Sequence, residues 1–398
     1  MIKVRGDRAL VEWLAARRDV QFIESDRPFK VDLESPDPQS LIAQSPLAIE
    51  ANLTQVNAQA LWQLGITGQG MTFANADTGV QWDHPALKSH YRGWNGSQAD
   101  HNYNWWDAIH ADEDWTGDNR CGMDLQAPCD DYGHGTHTMG IGVGDDGAGS
   151  QIGMAPGAKW IACRNMYGGV GRPSTYIECL QFFIAPTDLN GGNPDPSRAP
   201  QVISNSYACP PSEGCAVHAL QLTVEAVRAA GIFMSASAGN SGPACSSVQD
   251  PPGLEASVFT VGAVDASSSI AGFSSRGPVT VDGSGRRKPE LSAPGTGVRS
   301  SYPPNSYTYM SGTSMAAPHA AGAVALLWSA VPALRGDVAA TEALLEDTAR
   351  HLTATNGCGG DTATSVPNNT YGYGLLDVFG AYTSASHPYK YIFVLIYK

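Results

Sequence analysis

Apolar positions along the chain change period several times. Within residues 7–18, Leu10, Trp13 and Leu14 fall at i, i+3 and i+4, the stripe of a short amphipathic helix. A strand-like run at 20–24 follows, and then a Pro- and Ser-rich stretch, 35–46, that reads as a linker. From about Gly70 the pattern becomes strand, loop, helix, strand. It predicts strands over 71–76, 159–166, 201–206, 231–237 and 258–264, with helices near 134–143, 174–184, 215–230, 314–330 and 337–349. Apolar runs alternating with helices suit a parallel sheet covered on both sides. The expected fold class is therefore α/β, a doubly wound, mostly parallel sheet with helices on both faces. No internal repeat or heptad is visible. Between about Tyr91 and Asp131 lies an insertion without periodicity; its Trp94, Trp105, Trp106 and Trp115 predict order.

Composition narrows the picture. A chain of 398 residues that is 42% hydrophobic can bury a large core, so one main domain with appendages is expected. Lys and Arg number 24 against 38 Asp and Glu, a net charge of −14, which makes nucleic acid and anionic membranes poor partners. The eight cysteines include three local couples, Cys121 with Cys129, Cys163 with Cys179 and Cys209 with Cys215, leaving Cys245 and Cys358. No C-x-x-C pair occurs, which argues against a zinc ribbon or redox motif. Disulfides in an oxidising compartment account for the count better than eight buried thiols. The first residues, Met1-Ile-Lys-Val-Arg-Gly-Asp, have no apolar core of a signal peptide, so a missing upstream segment is expected. The apolar end, 391–397, is far short of a membrane span of roughly 20 residues; a docked strand and a terminal remnant both fit it.

Four short segments carry chemistry: Asp77-Thr-Gly-Val, Gly133-His-Gly-Thr-His137, Ser237-Ala-Gly-Asn-Ser-Gly242 and Gly312-Thr-Ser-Met-Ala-Ala-Pro-His319. Acyl transfer needs an exposed serine hydroxyl that can be deprotonated beside donors for a developing negative charge. Ser314 stands at the predicted start of a helix, where free N–H groups and the positive end of the dipole lie, and Gly312 leaves room for a close approach. Pro318 is expected in that helix's first turn, where proline is tolerated.

In residues and in order, these segments resemble the four signature regions of the subtilases. Tyr91-Arg-Gly-Trp-Asn-Gly, Asp100-His-Asn-Tyr-Asn-Trp, Cys209-Pro-Pro-Ser-Glu-Gly-Cys215 and Asn368-Asn-Thr-Tyr-Gly are similar to the bacillopeptidase F branch, so the resemblance covers about 50–385. It implies a secreted serine endopeptidase with Ser314 as nucleophile, His134 as general base and acid, Asp77 orienting the imidazole and Asn240 donating to the oxyanion. His137 then reads as buried support one turn on. The resemblance also implies an extended peptide substrate added as a strand between two edges, Ser206-Tyr207-Ala208 and Ala236-Ser237-Ala238 with Gly239. Tyr207 and Ala208 depart from the family's usual Leu or Trp and Gly. Together with the three local couples, the branch resemblance implies a fourth disulfide, Cys245 to Cys358.

The expected organisation is a remnant of an inhibitory prodomain and linker at 1–45, a peptidase domain at 46–385 and a tail at 386–398. Protein substrates and the chain's own prodomain are the expected partners, and a monomer is expected. Catalysis needs no cofactor. Subtilases often carry structural Ca2+, for which Asp112, Asp114 and Asp118 are candidates. The loop from Asp112 is not an EF-hand, because its ninth position is Arg120 and its twelfth is Met123. Gly142-Val-Gly-Asp-Asp-Gly147 matches a dinucleotide fingerprint but follows a helix and offers acids where a pyrophosphate would sit. Asn52, Asn95 and Asn368 open glycosylation sequons. An α/β-hydrolase esterase would need a different order and G-x-S-x-G, whereas Ser314 has Ala316 two residues on. A catalytically silent module of the same fold is the remaining alternative.

Overall fold

The computed structural model describes residues 2–30, 33–36, 48–110 and 120–386. At its centre is a seven-stranded sheet in which every neighbouring pair runs parallel. Read across the sheet, the order is Leu291–Pro294, Phe259–Val264, Phe233–Ser237, Val202–Asn205, Thr72–Asp77, Lys159–Arg164 and Trp105–Asp107. Alternate residues of each strand point to opposite layers. Phe73, Val202, Phe233 and Phe259 join one apolar cluster, while Ala74, Ile203 and Met234 join another.

The first cluster is roofed by the helices His134–Val143 and Thr313–Ala330, the second by Pro173–Ile184 and Gln221–Ala229. Thr313–Ala330 is apolar all round and buried through Trp328, as a helix clamped between sheet and outer elements must be. Gly142 lies flat on the Phe73 ring, where any Cβ would collide. Helix packing therefore explains Gly142 of the dinucleotide-like run, while Gly147 sits in a loop at φ +64° with open space around it. After Thr72–Asp77 the chain builds one flank with 105–107 and 159–164, then crosses to build the other. Strand order reverses at Thr72–Asp77, where the carboxyl ends of an open α/β sheet leave a crevice.

The five predicted sheet strands and six predicted helices, the leading one at Arg8–Ala15, are all present. The helix expected over 215–230 begins only at Gln221, because Cys215 is tied back to Cys209. The strand-like run 20–24 is not a strand, and its Phe22 and Ile23 are exposed. A two-residue strand, Phe29–Lys30, forms instead. The Trp-rich insertion supplies the edge strand Trp105–Asp107, with Trp105 fully buried. Trp115, Asp112, Asp114, Asp118, most of the linker 35–46 and the apolar tail 391–397 lie outside the described residues.

All four expected cysteine pairs are bonded: Cys121–Cys129, Cys163–Cys179, Cys209–Cys215 and Cys245–Cys358. The last joins residues 113 apart. In the chain-entropy account, closing so long a loop restrains the unfolded chain most. Replacing Cys245 and Cys358 together by serine is expected to lower unfolding free energy by about 2–5 kcal/mol. Denaturant titration of both proteins checks it, and coincident curves would show that the bridge contributes nothing. Among the described residues no helix is long and apolar enough to cross a membrane.

Candidate active site

Asp77 ends its strand at the point where strand order reverses, and the N-terminus of His134–Val143 lies beside it. His134 Nδ1 is 2.8 Å from Asp77 Oδ1 and 3.0 Å from Oδ2, and both side chains are buried. Asp77 also accepts from the Thr78 N–H at 2.7 Å and the Thr138 hydroxyl at 3.3 Å. Both oxygens face donors, so the carboxylate holds the proton on Nδ1 and leaves Nε2 for the opposite side of the ring.

Asp130, four residues before His134, ties these two elements together. Its Oδ1 accepts from the Thr78 hydroxyl and from the N–H groups of Tyr132 and Gly133, and its Oδ2 accepts from the Thr136 N–H and hydroxyl. Burial pushes its pKa up to about 6 despite those bonds. Sequence reasoning passed over Asp130, although an acid just ahead of a predicted helix start is a capping signal. His137 is fully buried and bonds the Thr308 carbonyl at 3.1 Å, and burial drives its pKa down to about 3. The support role expected of it fits that environment.

Ser314 is the second residue of Thr313–Ala330 and is 4% exposed. Its hydroxyl donates to the Ser206 carbonyl at 3.2 Å. Asn240 follows Phe233–Ser237 and is turned by Thr313: its Oδ1 accepts from the Thr313 N–H and hydroxyl, both at 2.9 Å. That contact sets the amide orientation and aims Nδ2 the other way.

Facing His134 and Asn240 together is a group that the sequence did not single out, the carboxylate of Glu34. Oε2 is 2.9 Å from His134 Nε2, and Oε1 accepts from Asn240 Nδ2 at 2.7 Å. The side chain is only 8% exposed, and it lies so close to Gly312 that no Cβ could stand there. With a carboxylate on each ring nitrogen, His134 is an imidazolium. Burial opposes that charge, but Asp77 and Glu34 outweigh it and hold the His134 pKa well above its ordinary value. Burial likewise opposes charge on Glu34, and His134 and Asn240 reverse the effect, holding its pKa below the usual range.

Other described residues of the leading segment also contact the domain. Phe29–Lys30 pairs antiparallel with Val170–Gly171, Asp26 caps Ser174 at the start of Pro173–Ile184, and Tyr132 donates to the Leu33 carbonyl at 3.2 Å. Val170–Gly171 is thus an available edge that the sequence did not reveal. Ala236 and Ser237, expected at an edge, are interior positions: Ala236 pairs with Asn205 on one side and Thr260 on the other, and Ser237 pairs with Val261. Both belong to a strand with neighbours on each side. Ala238 and Gly239 lie past the strand's end, and Ser206-Tyr207-Ala208 follows Val202–Asn205. Tyr207 turns inward and stacks on Tyr176 with ring centroids 4.3 Å apart.

Among the described residues no group of three or more His, Cys, Asp or Glu is placed to hold a metal ion. Asn368 is buried and donates to the Leu352 and Ser365 carbonyls, which removes it as a glycosylation site; Asn52 is spent on His319, at 2.8 Å.

The sequence profile of the subtilase family matches residues 68–374. Bacillopeptidase F of Bacillus subtilis is 38% identical over 350 residues, which is 85% of this chain and 22% of that protein. Serine protease AprX of the same species is 32% identical over 68% of this chain and 60% of its own length. Subtilisin DY of Bacillus licheniformis is 36% identical over 52% of this chain and 66% of its own. The chain therefore spans about a fifth of bacillopeptidase F.

Proposed function

The chain belongs to the subtilase family of serine-type endopeptidases, and from that membership we propose a secreted enzyme that hydrolyses peptide bonds of proteins through an acyl-enzyme on Ser314. The observation that carries the assignment of residues is the His134 ring, held on one side by Asp77 and facing on the other an anion shared with Asn240. When that anion leaves, the His134 pKa falls back, Nε2 gives up its proton to solvent, and the neutral ring can then take the Ser314 proton as Oγ attacks the scissile carbonyl. Asn240 Nδ2 and the Ser314 N–H then donate to the oxyanion. The imidazolium next gives its proton to the leaving amine, and water repeats the sequence to release the acid. No step requires a metal.

A substrate strand would add to the Val170–Gly171 edge as Phe29–Lys30 does, so backbone pairing supplies much of the affinity. Secretion is supported by four disulfides, which persist in oxidising compartments. Residues 1–45 act in this reading as the remainder of an inhibitory prodomain, and the Glu34 contact supports that role.

A fluorophosphonate tests the assignment. Its phosphorus should bond Ser314 Oγ as fluoride departs and the serine proton passes to His134, and activity should fall in step with labelling. Labelling of a different residue, or full labelling with activity retained, would refute the triad; absence of both labelling and hydrolysis in processed protein would favour a silent module.

A further inference from the structure

We propose that Ser206 is a positioning residue for the nucleophile, its hydroxyl replacing the hydrogen bond that Pro318 takes away from the Ser314 carbonyl. This rests on the reading of Ser314 as nucleophile. Pro318 stands well inside Thr313–Ala330 and not in its first turn, where the sequence placed it. A proline inside a helix has no N–H to give to the carbonyl four residues back, and its ring crowds that carbonyl. Here that carbonyl belongs to Ser314. Ser206 Oγ donates to it at 2.9 Å.

The same residue receives the other end of Ser314. The Ser314 hydroxyl donates to the Ser206 carbonyl, so backbone and side chain of the nucleophile are both referred to one residue 108 positions upstream. Ser206 is fully buried and directly follows Val202–Asn205, which is paired on both sides within the sheet. A central strand is a rigid reference. Ser235 makes a superficially similar bond, to the Ala317 carbonyl at 2.9 Å. That carbonyl still has an N–H available four residues on, at Ala321, whereas Ser314 has only proline there. The Ser206 hydroxyl therefore restores an obligatory partner to a buried carbonyl on the residue whose N–H faces the oxyanion. During the reaction the Ser314 hydroxyl must leave the Ser206 carbonyl for His134, while the carbonyl anchor can persist.

Three variants of the full chain, processed and assayed on a peptide substrate, test this. Ser206→Ala keeps the main-chain acceptor and loses only the donor; kcat should fall about tenfold with KM nearly unchanged. Pro318→Ala restores an N–H opposite the Ser314 carbonyl. In the Pro318→Ala background, Ser206→Ala should therefore change kcat less than about threefold. Ser206→Cys keeps the shape with a slightly larger, weakly donating atom; its kcat should fall between those of serine and alanine, and it serves as the readout where the alanine variant folds poorly. The proposal is overturned if Ser206→Ala lowers kcat equally in both backgrounds, raises KM alone, or has no effect in an active enzyme. An inactive wild-type enzyme would instead sink the assignment of Ser314.

Discussion

Replacing Ser314 by alanine should reduce peptide hydrolysis by about 10⁴- to 10⁶-fold, the scale known for triad removal in subtilisin, a relative of this chain. The fold should survive, because the hydroxyl makes one internal hydrogen bond, to the Ser206 carbonyl, and its removal deletes a single atom from a site at the sheet's carboxyl edge. Without it no acyl-enzyme can form, while Asn240 and the bound strand still act on the scissile group, so residual catalysis above water is expected. Replacing His134 by alanine in addition should cost little more, since residues that act as one unit are not additive. Steady-state assays with a chromogenic peptide, paired with thermal melts, decide the matter. A Ser314→Ala protein with unchanged melting and wild-type turnover would mean that hydrolysis takes place elsewhere.

Removing the Glu34 carboxylate should free the site before any processing. The Glu34–His134 pair is a buried, hydrogen-bonded charge pair, and truncating one member of such a pair typically costs about 2–5 kcal/mol. The leading segment should therefore hold the crevice about 30- to several-thousand-fold less tightly in Glu34→Ala. Freshly folded wild-type chain is expected to show a lag that ends with cleavage between about Pro36 and Glu50, read by N-terminal sequencing, whereas Glu34→Ala should start near its final rate.

The pH dependence follows from the two shifts. His134 is raised by the pair, so its contribution is complete below its ordinary value near 6.5 and is lost as pH rises through the elevated pKa. Glu34 is lowered, so its contribution is present above its ordinary range and is lost as pH falls through the depressed pKa. The segment should grip between those limits and release itself faster on the alkaline side. Processed enzyme, lacking Glu34, should gain activity through the ordinary histidine range and level off at mildly alkaline pH. Equal lags in both chains, with the active protein still beginning near Met1, would remove Glu34 and the prodomain from the account.

Much of this was legible along the chain because it is local. Parallel strands buried on both faces announce themselves as short apolar runs, and five of the seven were readable. Leu291–Pro294 and Trp105–Asp107, at the sheet's two edges, are brief and sit among glycine, proline and aromatic residues, so no run marks them. Three disulfides close loops of 16 residues or fewer, which spacing alone suggests. Asp77, His134, Asn240 and Ser314 could be singled out as candidates because each is embedded in a glycine-containing segment.

Tertiary structure decided what depends on closure between distant segments. Glu34 meets His134 across 100 residues, Ser206 meets Ser314 across 108, and Phe29–Lys30 finds its edge at Val170–Gly171. A two-residue strand has no period, and a lone glutamate or serine has no pattern. Such contacts exist because the reversal of strand order at Thr72–Asp77 brings several carboxyl ends to one crevice, and strand order is set by long-range pairing that local propensity does not encode.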